Sequence, residues 1–463
     1  MAKRILTILT ILFFVLFDFS SNNSLRSSPT HAESDVESLS IEYLSNDILS
    51  SDDFASFEKT VNRFIRYWWV TGASVAIAQE GKLVYAKGFG YADVENDIEM
   101  QPYNLLRVAS VSKLITAAAV MKLVENGELG LNQKVFGQEG ILNNPMYRNY
   151  IDKRVEDITV KNLLNHSAGW TTRWGDHMFM SQSIARQLNK ELPIDKDDII
   201  EFTLGKRLHY TPGAGSSYVN VGYLFLERVI EKVAKQNYEA FVRESIFKPI
   251  GVSDAFIAHN HDSLRYPLET RYYEVPEAEK VSAYDGSPVS VYKSRGGNDI
   301  RTLGAAGGWV ISSVSLAKFL IAIDLYSKET IISKKSIRQL TDNEPGFHPL
   351  GWRSVKRNGS KWRTGSFAGT SALAVSQANG LTFVFISNTS PWVGARFPYE
   401  VNRMMARALH RVDDWPEINL FNPLADTDNY VERHENIEDF TPKNEEEFTF
   451  SWTLTELDLS SQS

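Results

Sequence analysis

Between Arg107 and Gly130 the chain reads RVASVSKLITAAAVMKLVENGELG, with Ser110 and Lys113 three positions apart just ahead of an apolar run. That offset places both side chains on one face of a helix, close enough to interact. The run LITAAAVM is apolar nearly all round, the pattern of a helix inside a core rather than on a surface. A lysine tethered there is partly desolvated and sits at the positive end of the helix dipole; both effects favour its neutral amine. A neutral amine takes a proton from a neighbouring hydroxyl, and the helix start favours the negative oxygen that results. Ser112 lacks the three-residue offset. Taken alone, SxxK is a weak signal, and a capping serine beside a lysine that reaches solvent explains it as well.

Two further stretches change the weighing. In YTPGAGSSYVNVGYLFLERVI, Tyr218 and Asn220 follow a Gly/Pro turn and precede an amphipathic helix. By itself Asn220 reads as a helix N-cap and Tyr218 as a packed loop aromatic. In KWRTGSFAG, Arg363, Thr364, Gly365 and Ser366 open a strand, which by itself could be a cationic edge. In this order, however, SxxK, YxN and a cation before Thr-Gly resemble the motifs of the penicillin-recognising serine hydrolases. The YVN form is similar to that of the class C branch, which holds class C β-lactamases, DD-peptidases, D-aminopeptidases and related esterases. Supporting segments extend the resemblance from about Phe54 to His410: GASVAIAQEGKLVYAKGFGYAD, LLNHSAGW and AAGGWVIS.

The resemblance implies that Ser110 is the nucleophile of an acyl-enzyme, with Lys113 its proton acceptor or electrostatic partner. It implies that Tyr218 shuttles a proton to the leaving group, with a phenol made more acidic by nearby cations. Asn220 would orient the substrate and Lys113, with helix capping a smaller task. Arg363, Thr364, Gly365 and Ser366 would bind substrate, the backbone N–H groups of Ser110 and Ser366 forming the oxyanion hole. Arg363 departs from the family, which usually has lysine or histidine there. Arginine keeps the charge but takes no part in proton transfer. The expected reaction is hydrolysis of an amide or ester (a β-lactam, peptide or small ester) without metal or cofactor. The alternative is an inactive member that binds or scaffolds.

The elements that must position these residues can be read along the chain. FASFEKTVNRFIRYWW is periodic as a helix, and two runs of β-formers around Glu80 and Gly81 form a hairpin. The helix of the opening stretch ends near Asn126 and Gly127. From about Leu131 to Leu303 the chain reads as a mostly helical lobe. Strands follow in KWRTGSFAGTSALAVSQ and LTFVFISNTS, the latter hairpin closed at Asn379 and Gly380, and then a helix from about Pro398 to His410. Strands near both ends with helices between predict an α+β fold of the β-lactamase/transpeptidase type, one antiparallel sheet interrupted by the lobe.

At 463 residues, with 43% hydrophobic and 23% charged residues, the composition is that of a globular protein. The expected layout is a leader over 1–32, a linker over 33–53, a catalytic domain over 54–412 and an acidic tail over 413–463. Of the formal charge of −8, that tail carries −12, from 14 acidic and 2 basic residues, which leaves +4 before it. The scattered aromatics of the tail suggest that it docks. No basic face for nucleic acid stands out. The absence of cysteine excludes disulfides, thiol nucleophiles and thiolate metal sites.

The start, MAKRILTILTILFFVLF, has the layout of a secretory signal peptide, and its apolar run is short for a membrane span. The expectation is a secreted or extracytoplasmic protein, the alternative a membrane tether by an uncleaved leader. Asn165, Asn358 and Asn388 sit in NxS/T sequons. A Ser-His-Asp hydrolase would need a GxSxG elbow, and none is present. His166 reads as a loop residue, and His259 and His261 lack a third ligand at metal-binding spacing. The segments from Trp170 to Pro193 and from Ala258 to Asp299, with Trp174 and Tyr284, are the candidates to shape the substrate pocket.

Overall fold

In a computed structural model, residues 44–46, 54–412 and 415–422 are described. The sheet is built from both ends of this span. Its strands are β1 (Gly72–Gln79), β2 (Lys82–Asp93), β3 (Ile98–Glu99), β4 (Ser354–Val355), β5 (Lys361–Phe367), β6 (Thr370–Ser376) and β7 (Leu381–Ser387). Their spatial order is β4-β5-β6-β7-β1-β2-β3, and every adjacent pair is antiparallel. The first hairpin turns at Glu80 and Gly81, both at positive φ (51° and 84°), the combination that matches the twist of a two-residue hairpin. The join between the two sequence halves is β1 against β7, in register from Ala73 opposite Ser387 to Gln79 opposite Leu381.

Alternation along the strands sorts large from small side chains. Val75, Ile77, Tyr85, Phe383 and Phe385 pack on one face against α1 (Ala55–Tyr67), whose Phe57, Val61 and Ile65 recur at helical spacing. The opposite face presents Ala76, Ala86, Ala372 and Ala374 to the larger core, which lets helices approach closely.

That second core is centred on α2 (Ser112–Glu125), in which eleven residues from Ser112 to Leu123 are buried. Around it lie α3 (Val160–Leu164), α4 (Ser181–Leu188), α5 (Lys196–Leu204), α6 (Val221–Ala234), α7 (Tyr238–Val242), α8 (Ile300–Gly307), α9 (Ser313–Ala322) and α10 (Lys334–Leu340). The last helix, α11 (Phe397–Leu409), returns to the first face and lies beside α1, Phe64 stacking on Phe397 at 5.6 Å.

The inserted lobe is helical only in its first half. From Gly251 to Asp299 the chain forms short strands of two residues each, such as Phe256–Ile257 and Tyr273–Glu274, and irregular loops. Ion pairs clip these loops together, among them Arg271 with Asp262 and Arg265 with Asp93. The expected leader, nearly all of the linker and most of the acidic tail lie outside the described residues. The start of the tail docks as its aromatics suggested: Trp415 sits beside Phe54 and Leu420 donates its N–H to Leu83 O at 2.8 Å. Among the described residues no helix is long and apolar enough to cross a membrane.

Candidate active site

Ser110 is not in the helix proper. Val108 is tied to Trp309 O through its N–H, and a 3-10 turn over Ala109–Val111 then carries Ser110 into the start of α2. Ala109 has a φ of 46°, a region that costs an alanine energy and that concentrates at functional sites. The strand β5 holds this turn from the side. Arg363 Nε donates to Ser110 O at 2.8 Å. A Cβ on Gly365 would come within 2.2 Å of Val108 O and 3.0 Å of Ser110 N. Only glycine lets the strand backbone lie this close to the serine. The neighbouring β4 pairs only with Lys361 and Trp362, so among the described residues the edge of β5 beyond them has no strand partner and faces the turn.

Lys113 is fully buried. Its ammonium has three acceptors: Asn220 Oδ1 at 2.6 Å, Ala306 O at short range, and Ser110 Oγ at 3.4 Å. Burial brings its pKa down to about 8, with Arg363 adding to the fall and Tyr218 opposing it. The Ala306 carbonyl is set in place by its neighbours. Ala305 donates its N–H to Glu227 Oε2 at 2.9 Å and accepts from Thr116 Oγ1 at 2.8 Å. Glu227 is itself paired with Lys196.

The Tyr218 hydroxyl lies 2.8 Å from Ser110 Oγ and accepts from Arg363 Nη2 at 3.0 Å. Burial alone would raise its pKa, but the charges of Lys113 and Arg363 outweigh that and bring it to about 8. The His166 ring lies against that of Tyr218, tilted by 48° with the centroids 4.5 Å apart. Burial, reinforced by Arg363, depresses the imidazole well below its usual range, so it is a neutral packing residue. Its backbone carbonyl accepts from Ser217 N–H at 2.9 Å and so helps to hold the YVN loop.

Asn220 stands at the N-cap position of α6, yet its side chain makes no capping bond. Both ends are used elsewhere. Oδ1 faces Lys113, while Nδ2 donates to Asp176 Oδ2 at 2.6 Å. Asp176 therefore fixes which way the amide points, because a carboxylate accepts only from the NH₂ end. Burial raises the Asp176 pKa against the pull of Met178 N–H, Asn220 and Lys113. Its loop also walls a cavity of about 430 Å³ lined by Trp174, His177 and Phe202. Tyr284, by contrast, contacts His261 at 3.3 Å.

The fold thus brings Ser110, Lys113, Tyr218, Asn220, Arg363 and Gly365 into one cluster from three separate parts of the sequence. Thr364 and Ser366 alternate with Arg363 and Gly365 on β5 and stay partly exposed. Asp176 and Ala306 belong to the cluster but carry no sequence signal: one is a lone loop acid, the other contributes only its backbone.

A sequence model described as Beta-lactamase matches residues 59–403. The chain belongs to the beta-lactamase family. Among curated relatives, Protein flp of Staphylococcus aureus strain N315 is 27% identical over 226 residues, 48% of this chain and 43% of that protein. The chain therefore aligns with less than half the length of that relative. The octameric penicillin-binding protein homologue of Pyrococcus abyssi superposes with a TM-score of 0.59 at 25% identity, covering 82% of this chain and 81% of that one. The D-amino acid amidase of Ochrobactrum anthropi SV3, complexed with D-phenylalanine, gives a TM-score of 0.61 at 22% identity over 78% of this chain and 99% of the other. The beta-lactamase family fold is thus that expected from the three motifs.

Proposed function

We propose that this chain hydrolyses an amide or ester through an acyl-enzyme on Ser110. The observation that carries this reading is the contact between Ser110 Oγ and a phenol flanked by two buried cations. Tyr218 OH is nearer to the serine, at 2.8 Å, than the Lys113 ammonium at 3.4 Å. In the proposed reaction Ser110 Oγ attacks the carbonyl carbon and its proton passes to the Tyr218 oxygen. Lys113 and Arg363 stabilise the phenolate that receives it. Tyr218 returns the proton to the leaving amine or alcohol, and then takes one from the water that releases the acyl group.

The N–H groups of Ser110 and Ser366 are the proposed oxyanion donors, supported by the close approach of β5 to the serine turn. Asn220 and Asp176 hold Lys113 in place, and Arg363, Thr364 and Gly365 form the strand side of the site. No step needs a metal or cofactor. Arg363 supplies charge and hydrogen bonds here but no proton, so its guanidinium is compatible with turnover. The first substrates to assay are D-amino acid amides, given the amidase of similar fold, then short peptides, esters and β-lactams. We further propose an extracytoplasmic location, on the strength of the N-terminal basic and apolar pattern.

Treatment with a fluorophosphonate or a β-lactam, followed by intact mass spectrometry, tests the acyl-enzyme. The expected result is a single adduct on Ser110 that is absent from Ser110→Ala. A folded wild-type protein that takes up no acylating probe would instead be the inactive binding member.

A further inference from the structure

The layer formed by α1 and α11 buries its inner face on the sheet and leaves its outer face exposed. The stretches 55–69 and 391–412 that make this layer hold seven basic and two acidic residues. Both carboxylates are already engaged, Glu58 by Lys87 and Glu400 by Arg403. Lys59, Arg63, Arg66, Arg396, Arg407 and Arg411 are exposed. The two stretches are more than 300 residues apart, so no basic face was visible in the sequence.

Where the two helices meet, aromatic rings stand out from the surface. Tyr67, Trp69 and Trp392 are 73%, 74% and 78% exposed. Tyr67 and Trp392 flank Trp68, whose ring lies 5.3 Å from the first and 6.0 Å from the second, and Trp69 follows it in the chain. Large exposed apolar side chains in a cluster mark an interaction surface. Tryptophan and tyrosine with arginine and lysine around them are the combination favoured at the headgroup level of a bilayer, where the rings are amphipathic and the cations meet anionic lipid.

We propose that the outer face of the α1/α11 layer docks on an anionic lipid surface. The competing occupant is the chain's own acidic tail. Of its described residues Trp415 still packs beside Phe54, but Leu420 bonds to Leu83 and Phe421 reaches Lys318 of α9, on the opposite side of the sheet. The described part of the tail thus passes from the α1/α11 layer to the far one.

The test is co-sedimentation of the full chain with vesicles of phosphatidylcholine alone or mixed with phosphatidylglycerol, at low and high salt. Binding to the anionic vesicles is expected to be stronger by about tenfold or more and to fall with salt. The double variant Arg63→Glu/Arg407→Glu should abolish that preference, and Trp69→Ser/Trp392→Ser should weaken binding severalfold. All four positions are exposed, and unchanged thermal unfolding by circular dichroism verifies that the fold is kept. The proposal fails if the wild type ignores anionic vesicles or binds neutral ones equally. It also fails if the variants bind like the wild type, which would assign the binding to the N-terminal apolar run. Binding that appears only when Glu445, Glu446 and Glu447 are changed to Gln would place the tail on this face and overturn it. Acylation of Ser110 is unaffected by any of these outcomes.

Discussion

Two cations on β5 sit two residues apart, on the same side of the strand, and both are buried, yet they are treated differently. Lys361 is 3% exposed, and it donates to Asp324 Oδ2 at 2.7 Å and to Ser376 Oγ at 3.1 Å. Its charge is cancelled within the fold. Arg363 is 1% exposed, and among the described residues its guanidinium bonds to no carboxylate, only to Ser110 O and Tyr218 OH, while Nη1 has no partner. A buried cation without an anion is costly, and its field acts on whatever lies beside it, here a phenol and an attacking serine. The paired charge holds the strand; the unpaired one is available to the chemistry. The plain test of this contrast is that removing one should damage stability and removing the other should damage rate.

The larger loss is expected at the pair. Asp324→Asn leaves the Lys361 ammonium buried without its counter-ion, which costs about 3–5 kcal/mol, read as a lower midpoint in urea unfolding. Acylation per folded molecule should be unchanged. Burial alone would raise the Asp324 carboxyl, but the Lys361 charge outweighs it and holds the group below its ordinary value. A depressed carboxyl stabilises above its unfolded pKa of about 4 and loses that contribution as pH falls through its folded value. The variant should therefore show a flatter acid limb in stability against pH. An equal loss of acylation in the folded variant would merge the two sites into one.

At Arg363 the effect should fall on rate. Arg363→Gln is expected to lower kcat/KM by about 10²-fold, the scale of losing one charge-stabilising group at a reacting centre. Removing a positive charge makes phenolate formation harder and ammonium formation easier. The pH profile of kcat/KM, rising as Tyr218 ionises and falling as Lys113 loses its proton, both near pH 8, should then move to higher pH on both limbs. Arg363→Lys keeps the charge but cannot reach Ser110 O and Tyr218 OH together as a planar fork does. It should retain the wild-type pH profile with a loss of only about tenfold. A profile that stays in place in the Gln variant would show that the guanidinium field does not reach Tyr218.

The sequence revealed the elements better than the turns between them. α1, the β1–β2 hairpin, α2, the β6–β7 hairpin and α11 were legible because their burial follows a simple period, and α2 because it is apolar all round. The β5 motif was legible for a different reason, its place in order after SxxK and YxN; the close backbone approach that Gly365 permits is seen only in the fold. What was not legible depends on contacts between distant segments. Nothing in VASVSK signals that Ala109 turns left-handed and puts Ser110 ahead of the helix, since alanine is not a turn former. The lobe as a whole reads as mostly helical, yet its second half is loops held by ion pairs such as Arg271–Asp262 that leave no periodic trace. Asn220 was read as a partial cap because its position alone suggests one; its amide is claimed by two groups that sequence spacing does not bring near.

One of those groups carries the smallest predicted effect. Asp176 touches neither Ser110 nor Tyr218, so it is a positioning residue acting through Asn220 on Lys113. Asp176→Asn keeps the shape, but the new amide can present either end to Asn220 and no longer forces Oδ1 toward the lysine. The expected loss in kcat/KM is modest, about tenfold or less, the range of a supporting hydrogen bond. A structural defect alone could produce that number, so the pH profile decides. The Asp176 charge favours the Lys113 ammonium, and its removal should lower the lysine pKa. The alkaline limb of kcat/KM should therefore shift to lower pH while the acid limb, set by Tyr218, stays nearly in place. This is a shift of one limb, where Arg363→Gln moves both. Asp176→Glu, which keeps the charge, should restore the alkaline limb even if its longer side chain leaves the rate low. A profile unchanged in shape in Asp176→Asn would reduce Asp176 to a loop anchor, and leave Asn220 oriented by Lys113 alone.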